Sequence, residues 1–222
     1  MHNERLPTGI PGLDDLIQGG FLKGSSVLIT GPAGAGKTIF CSQFIWHGLQ
    51  RGETCFYITL EEMPEDIIKD ALVFGWDFEK YIQEGKLFLE FFDPFELTDI
   101  VSPLITHIQE RNISRIVIDS TSVLGLYFDR ESEMRKQLYK LVIALKKTDA
   151  VSLLTAEIPE GSNRISRYGV EEFVTDAVIV LHSLEMGENI FNSLQIKKMR
   201  RTNHSHEIHP YRITDKGIVI VR

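Results

Sequence analysis

One eight-residue segment, Gly31-Pro-Ala-Gly-Ala-Gly-Lys-Thr38, restricts the fold more than any other part of this sequence. It follows a short apolar run, Val27–Thr30, and opens a helical pattern, Thr38–Gln50. Two glycines separated by four residues and followed by Lys and Thr form the P-loop pattern, in which backbone N–H groups and the positive end of a helix dipole converge on a polyphosphate. A chance Gly-rich turn is a poor explanation for so many matched positions in this setting. The segment therefore predicts a strand-loop-helix unit that binds a nucleotide through Gly31, Pro32, Ala33, Gly34, Ala35, Gly36, Lys37 and Thr38.

Short apolar runs and helical patterns alternate along the chain. The β-branched, nearly continuous apolar runs are typical of strands buried on both faces: Val27–Thr30, Cys55–Thr59, Arg115–Asp119, Val151–Thr155 and Ala177–Leu181. Apolar residues three and four positions apart predict four helices, Thr38–Gln50, Pro64–Phe74, Leu97–Arg111 and Ser132–Lys147. This alternation predicts an α/β fold with a mostly parallel sheet flanked by helices. Three later runs predict antiparallel strands that extend one edge of the sheet: Phe191–Met199, Pro210–Thr214 and Ile218–Val221.

Length and composition fit one domain. The 222 residues, 43% of them hydrophobic, contain no run near the roughly 18 apolar residues that a membrane span needs. We expect a single domain over 1–222, with an N-terminal segment (1–24), a core (25–185) and a C-terminal hairpin region (186–222). The N-terminus lacks a secretory signal pattern, and two cysteines, Cys41 and Cys55, are too few for a disulfide scaffold. We therefore expect buried cysteines and a cytoplasmic location.

The net charge of −7 is unevenly distributed along the chain. Residues 193–222 carry seven basic and two acidic side chains, which gives +5 and leaves −12 for the remainder. The basic segment has three explanations: one edge of a head-to-tail ring, a nucleic-acid site, or a solvated surface. It lacks interleaved exposed aromatic residues that would stack on bases, and the whole chain is acidic. Ring assembly is therefore favoured over nucleic-acid binding.

A metal site is expected next to the P-loop. Lys37 is placed to reach the β and γ phosphates of ATP, and the Thr38 hydroxyl to ligate Mg²⁺. A second carboxylate is needed to hold the water shell of the metal, and Asp119 ends an apolar strand at the sheet edge where ligands gather. An Asp at a strand end is also common as a turn or helix cap. The P-loop upstream favours the metal role for Asp119, through water.

Hydrolysis requires a group that orients or deprotonates water. Glu61 and Glu62 follow the strand Cys55–Thr59 directly. Adjacent side chains of an extended segment point to opposite sides, so we expect one of the two to face the phosphate, with Glu61 favoured. Acidic residues are also favoured at a helix start by the helix dipole alone, and Pro64 begins a helical pattern here. We interpret Glu61 and Glu62, with Lys37, as the catalytic residues.

Several segments together resemble the KaiC family of RecA-like ATPases, over nearly the whole chain. They are Thr8–Gly20 before the first core strand, Glu61–Ile68 with Phe74–Asp77, the strand end Ile118–Ser120, and Tyr168–Asp176. The resemblance implies a RecA-like fold, ATP as substrate and Mg²⁺ as cofactor. It also implies that Glu61 and Glu62 are paired catalytic glutamates.

The basic tail carries a second part of this resemblance. Lys198-Met-Arg-Arg-Thr-Asn-His204 is similar to the family's Lys-x-Arg-Gly-Thr-x-His segment, which reaches across a subunit interface to the nucleotide on the neighbouring P-loop. Carried over by position, this implies that Lys198 and Arg200 contact the γ-phosphate in trans. It places three more residues close to that nucleotide: Met199, Thr202 and His204. The resemblance implies a homo-oligomeric ring, a hexamer.

Two positions refine what the resemblance implies. Arg201 stands where the family segment has Gly, which adds bulk and charge to the loop. Glu172-Phe173 stands where the autophosphorylating KaiC domain has a Ser-Thr pair. An ATPase without autokinase activity is therefore implied. The competing hypothesis is a DNA-binding or assembly module, resembling recombinases, with little hydrolysis of its own.

Two further segments have open interpretations. The polar loop Glu157–Tyr168 follows the strand that ends at Thr155 and could contact an unidentified protein partner, while Thr155 could sense the γ-phosphate or cap the turn. His204, His206 and His209 could share one strand face as metal ligands. Without cysteines or a defined ligand spacing, interface or surface roles are favoured for these histidines.

Overall fold

The central strands of this protein are segments buried on both sides. The computed structural model describes residues 4–93, 106, 108, 110–126, 128, 130–159, 161, 162, 164–186 and 189–221. The strands are β1 Arg5–Leu6, β2 Phe21–Leu22, β3 Ser26–Gly31, β4 Cys55–Thr59, β5 Leu87–Phe91, β6 Arg115–Asp119, β7 Val151–Glu157, β8 Ala177–Met186, β9 Asn189–Met199, β10 Ile208–Thr214 and β11 Gly217–Ile220. The helices are α1 Leu13–Leu16, α2 Lys37–Gln50, α3 Pro64–Val73, α4 Phe78–Gln83, α5 Glu131–Leu145 and α6 Glu171–Val174, with a 3₁₀ helix at Thr121–Leu126.

Nine strands of the described chain form one sheet in the order β11-β10-β9-β8-β3-β7-β6-β4-β5. The strands from β8 to β5 are parallel to one another, whereas β9, β10 and β11 pair antiparallel at the β8 edge. The prediction of a mostly parallel sheet with a C-terminal antiparallel extension is confirmed. Strand β7 lies between β3, which leads into the P-loop, and β6, which ends at Asp119.

The two faces of the sheet bury separate apolar cores. Successive strand residues point to opposite faces, so Val117 packs with Phe40 and Phe44 of α2, while Ile116 packs with Leu138 of α5. Helices α1 to α4 cover the first face and α5 covers the second. This two-sided cover explains why the parallel strands are continuously apolar.

Several short elements were not expected from the sequence, among them β5 and α4. Strand β5 forms the outer edge of the sheet and is largely half-buried, and the short helix α4 precedes it. The predicted helix Leu97–Arg111 lies for the most part outside the described residues. Cys41 and Cys55 are free thiols and buried, as expected. No helix in the described ranges is long and apolar enough to cross a membrane.

A buried arginine joins the start of β6 to α2. The Arg115 side chain is 0% exposed, and its Nε donates to Glu53 Oε2 at 2.6 Å. Its Nη1 donates to the Phe44 carbonyl at 3.0 Å, and its guanidinium lies 4.4 Å from the Phe44 ring centroid. Every polar group of this pair has a partner, which is the condition for keeping a charge in a core.

Replacing Arg115 by Ala is expected to lower the free energy of unfolding by about 3–5 kcal/mol, because it leaves Glu53 without its buried partner. Urea unfolding at equilibrium measures the loss. Arg51→Ala is the matched control, because Arg51 pairs with the same Glu53 at 3.0 Å but its side chain is 51% exposed. That variant is expected to lose about 0–1 kcal/mol. Equal losses in the two variants would contradict a special role for the buried partner.

Candidate functional site

The P-loop connects the carboxyl end of β3 to α2. Gly34 and Gly36 have φ values of 76° and 84°, a region that side chains other than glycine rarely adopt. The Tyr211 hydroxyl of β10 donates to the Ala35 carbonyl at 2.6 Å and fixes the loop to the antiparallel extension. Lys37 is the first residue of α2, so the loop amides and the start of that helix face the same space.

Lys37 is the cation of this loop. Its Nζ donates to the carbonyls of Gly31 and Pro32 at 3.0 and 2.9 Å. Burial lowers the pKa of Lys37, and the negative charges of Asp119, Glu157 and Glu61 oppose this shift. The ammonium therefore lies at the meeting point of the loop and several carboxylates.

Three hydroxyls converge on the Asp119 carboxylate at the end of β6. Thr38 Oγ1 and the Tyr57 hydroxyl donate to Oδ2 at 2.9 and 2.8 Å, and Thr155 Oγ1 donates to Oδ1 at 2.5 Å. Burial raises the pKa of Tyr57 well above its ordinary value, so its hydroxyl keeps the proton that it donates. Both carboxylate oxygens are thus held in place. Thr155, for which the sequence left the roles of phosphate sensor and turn cap open, is buried and bonds to Asp119.

Sequence reasoning missed Tyr57. The sequence does contain a sign of its role: Tyr57 lies in the middle of a strand in which every residue is buried. A buried hydroxyl requires a hydrogen-bond partner, so a partner nearby was to be expected. The strand register explains why Asp119 is the partner of Tyr57. Strands β4 and β6 are adjacent and parallel, with Tyr57 opposite Val117 and Thr59 opposite Asp119. The phenol therefore needs to reach only to the end of the neighbouring strand.

Glu61 and Glu62 follow β4 in a turn. The Thr59 hydroxyl accepts from the Glu62 amide at 3.0 Å and donates to the Glu62 carbonyl at 2.7 Å. The expectation of an extended segment with only one side chain toward the phosphate is wrong, because this turn lets both residues line the same cleft. Burial raises the pKa of Glu61, and a hydrogen bond from Ser120 opposes that shift. Burial also raises the pKa of Glu62, so both are stronger bases than a free glutamate.

The cleft between the P-loop, Glu61, Glu62, Asp119 and Glu157 has a volume of about 330 Å³. Sequence reasoning placed Glu157 only at the start of a polar loop. Parallel pairing of β3 and β7 sets Glu157 opposite Gly31, which brings this carboxylate to the P-loop. Arg167 of the same loop donates to Glu157 Oε2 at 2.7 Å, which joins the loop to the wall of the cleft.

The donor atoms beside the P-loop fit magnesium. Mg²⁺ takes hard oxygen ligands, and in phosphate sites it is held by one or two protein groups with several waters. The Thr38 hydroxyl and the Asp119 carboxylate are such groups and lie 2.9 Å apart.

The histidines of the tail are close together. The rings of His204 and His206 are 4.6 Å apart, and His209 Nε2 bonds to Ser205 Oγ at 2.7 Å. Throughout the described residues, no three His, Cys, Asp or Glu side chains are grouped to hold a metal.

The tail residues Lys198 and Arg200 lie toward the opposite end of the strands from the P-loop. Lys198 Nζ donates to the Glu172 carbonyl at 2.7 Å, and Arg200 lies 3.4 Å from an Asp176 carboxylate oxygen. The Met199 side chain packs in the core, so only its main chain is available to a neighbour. Thr202 Oγ1 accepts from Arg5 at 3.1 Å, and His204 Nδ1 bonds to the Ser205 carbonyl.

Exposed aromatic rings do lie beside these cations. Phe173 and Tyr139 are 61% and 56% exposed, and both line a groove that includes Arg200. The expectation from the sequence concerned aromatic residues interleaved within the basic segment, where Tyr211 is buried. The exposed rings come instead from α5 and α6, distant in sequence from the tail.

Comparison with known proteins identifies the family. A family model described as "ATPase: KaiC" matches residues 6–222. The chain belongs to the KaiC family of ATPases. It is 38% identical to the circadian clock oscillator protein KaiC of Synechococcus elongatus, over 97% of this chain and 44% of that protein. It is 36% identical to the circadian clock protein KaiC3 of a Synechocystis strain, over 98% of this chain and 46% of that protein.

A solved structure gives the same result for the fold. The crystal structure of a KaiC-like protein from Pyrococcus horikoshii matches with a TM-score of 0.90 and 39% identity, over 99% of both chains. The RecA-like fold and the resemblance to KaiC are confirmed, and as a family member the chain is a nucleotide-binding ATPase. The chain spans about half the length of the curated KaiC proteins that it matches.

Proposed function

We propose that this protein hydrolyses the terminal phosphoanhydride of ATP with Mg²⁺, in a homo-oligomeric ring whose neighbouring subunits complete each active site. The observation that carries this proposal is the cleft between the P-loop and the carboxylates Glu61, Glu62 and Asp119. This cleft combines backbone amides and a lysine that can bind phosphates, oxygen atoms that can ligate a metal, and carboxylates that can accept a proton from water. Glu172-Phe173 offers no hydroxyl to phosphorylate, so we propose no autokinase activity.

The residues have separate roles in this reaction. The P-loop amides and Lys37 bind the β and γ phosphates. Thr38 directly and Asp119 through water would hold Mg²⁺, which would neutralise charge on the phosphate oxygens. Glu61 accepts a proton from the attacking water at its carboxylate, and Glu62 supports it. The Ser120 hydroxyl keeps Glu61 at the end of the strand that carries Asp119.

The register of the sheet supports a site shared between chains. Lys198 pairs with Val178, which in turn pairs with Leu28, so the tail cations lie level with the first half of β3. The P-loop begins three residues further along β3, at Gly31, which is about 10 Å at 3.3 Å per residue. A chain cannot readily bring both ends of its own sheet to one phosphate, whereas head-to-tail neighbours can. Lys198 and Arg200 therefore act on the nucleotide of the next subunit, in a ring that family resemblance makes a hexamer.

Molecular mass and phosphate release, each measured with and without Mg·ATP and single-stranded DNA, test the proposal together. We expect a ring with ATP, turnover that EDTA abolishes, and no stimulation by DNA. Binding without turnover would favour an assembly switch. DNA-stimulated turnover would favour the recombinase-like alternative.

Tyr57→Phe is expected to raise the Mg²⁺ concentration needed for tight ATP binding by roughly tenfold, because the metal-binding carboxylate loses one of its hydrogen-bond donors. A fluorescent ATP analogue titrated at several Mg²⁺ concentrations measures this, and binding in EDTA should not change. Tyr81→Phe is the control, since its hydroxyl accepts from Gln50 on the exposed side of α2. An unchanged Mg²⁺ dependence in Tyr57→Phe would contradict the positioning role.

A further inference from the structure

A groove of about 610 Å³ runs between α5 and α6 and ends at Arg200. We call it the basic groove and define it by Arg135, Lys136, Tyr139, Lys146, Phe173 and Arg200. It shares no lining residue with the nucleotide cleft of the same chain. Its function is not explained by the binding of ATP within one chain.

The basic groove combines positive charge with exposed rings. Lys146 and Arg200 share the carboxylate of Asp176, at 2.9 and 3.4 Å. Arg135 lies 5.8 Å from the Phe173 ring centroid, and no described carboxylate forms an ion pair with Arg135 or Lys136. Four cations against one carboxylate leave a net positive surface around two exposed aromatic rings. Apolar surface of this kind, bordered by unpaired charge, is typical of an interaction site.

A complementary surface lies on α3 of the same chain. Asp66 and Asp70 are exposed and four residues apart, so they share one side of α3, and the exposed Glu62 lies in the turn just before this helix; we call the three the acidic stripe. Lys69 neutralises part of it through Asp66, at 2.8 Å. The stripe is bordered by exposed apolar side chains, with Met63 53% and Val73 76% exposed. It therefore offers the opposite charge and a similar apolar border.

The two surfaces are also at the right places to meet. Glu62 lines the nucleotide cleft, so the acidic stripe continues from the rim of that cleft. Arg200 lines the basic groove, and under the proposed function it contacts the phosphates in a neighbour's cleft. A groove that ends at Arg200 must then lie against that neighbour's cleft rim.

We propose that the basic groove of one chain binds the acidic stripe of a second copy, and that this contact sets the head-to-tail order of the ring. The pairing rests on the proposed function. Cations beside exposed rings also suit single-stranded nucleic acid. A second copy is favoured because the acidic stripe is present on this chain, carries matching apolar residues, and lies beside the phosphates that Arg200 reaches.

Charge reversal on each surface tests the pairing. The groove variant is Arg135→Glu/Lys136→Glu and the stripe variant is Asp66→Lys/Asp70→Lys; Glu62 stays unchanged because it lines the cleft. Alone, each variant is expected to assemble at least about tenfold more weakly than the wild type with Mg·ATP, because like charges face each other. Mixed in equal amounts, the two variants are expected to assemble, because every contact then joins opposite charges in an alternating ring. Sedimentation velocity measures the masses.

The outcomes separate this inference from the proposed function. Rescue by mixing supports the pairing, and it also shows that both variants fold. Glu79→Lys/Glu84→Lys, at α4 and the residue after it, makes the same change in net charge as the stripe variant and should assemble like the wild type.

If the wild type forms rings and the reversed variants assemble equally well, the pairing is wrong but the shared site stands. If the groove variant keeps its assembly but loses binding of a labelled single-stranded oligonucleotide, the groove is a nucleic-acid site and the pairing is overturned. A wild type that never assembles with ATP would refute the shared site itself.

Discussion

The double variant Glu61→Gln/Glu62→Gln is expected to bind ATP with unchanged affinity and to hydrolyse it about 10²–10⁴-fold more slowly, the range for loss of a general base. The amides keep the size and polarity of the glutamates but cannot accept the proton of water. Phosphate release measures turnover, and a fluorescent ATP analogue measures binding. Of the single variants, Glu61→Gln is expected to lose more, because Glu61 is the residue hydrogen-bonded to Ser120 beside Asp119.

The control for this prediction is Glu79→Gln/Glu84→Gln on α4. It removes two exposed carboxylates outside the cleft and should hydrolyse ATP like the wild type. Undiminished turnover in the Glu61→Gln/Glu62→Gln variant would assign the base elsewhere. Glu157, the remaining carboxylate that lines the cleft, would then be the next candidate.

The tail variant Lys198→Ala/Arg200→Ala is expected to lose roughly 10³-fold or more in turnover, the scale of a missing cationic finger in phosphoryl transfer. Its P-loop and its glutamates remain intact. Mixing it with Glu61→Gln/Glu62→Gln, which keeps an intact tail, should therefore restore activity. In a randomly mixed ring about one quarter of the sites would combine an intact cleft with an intact neighbouring tail.

Recovery of turnover on mixing requires residues from two chains in one site. A mixture no more active than its separate components would contradict action in trans, even if each variant alone is inactive. Lys147→Ala removes an exposed cation at the end of α5 and should leave turnover unchanged. Mixing two preparations of the tail variant itself gives the background.

The P-loop and the strand that ends at Asp119 could be predicted because their signals are local. Gly34, Gly36 and Lys37 lie within four residues of each other, and strand, loop and helix follow directly in the chain. The buried strands were also predictable, because two-sided burial makes them continuously apolar. The edge strand β5 was missed since its half-buried residues lack that pattern.

The rest of the site depends on which strands become neighbours. Tyr57 lies 62 residues from Asp119, and Glu157 faces the P-loop only because β7 is placed next to β3. Strand order is decided by packing across the whole sheet, and one sequence does not contain it as a local pattern. The turn at Thr59, which turns both glutamates to the same cleft, depends on one side-chain hydroxyl.

The opposite positions of the tail cations and the P-loop have a consequence for kinetics. Under the proposed shared site, a chain with its phosphate loop at one end of the strands and its cations at the other brings two halves of different sites, which no internal motion of a packed sheet joins. Turnover per chain then depends on how often chains meet, and it should fall on dilution even at saturating ATP. For such a protein, local concentration in the cell acts as a regulator of activity.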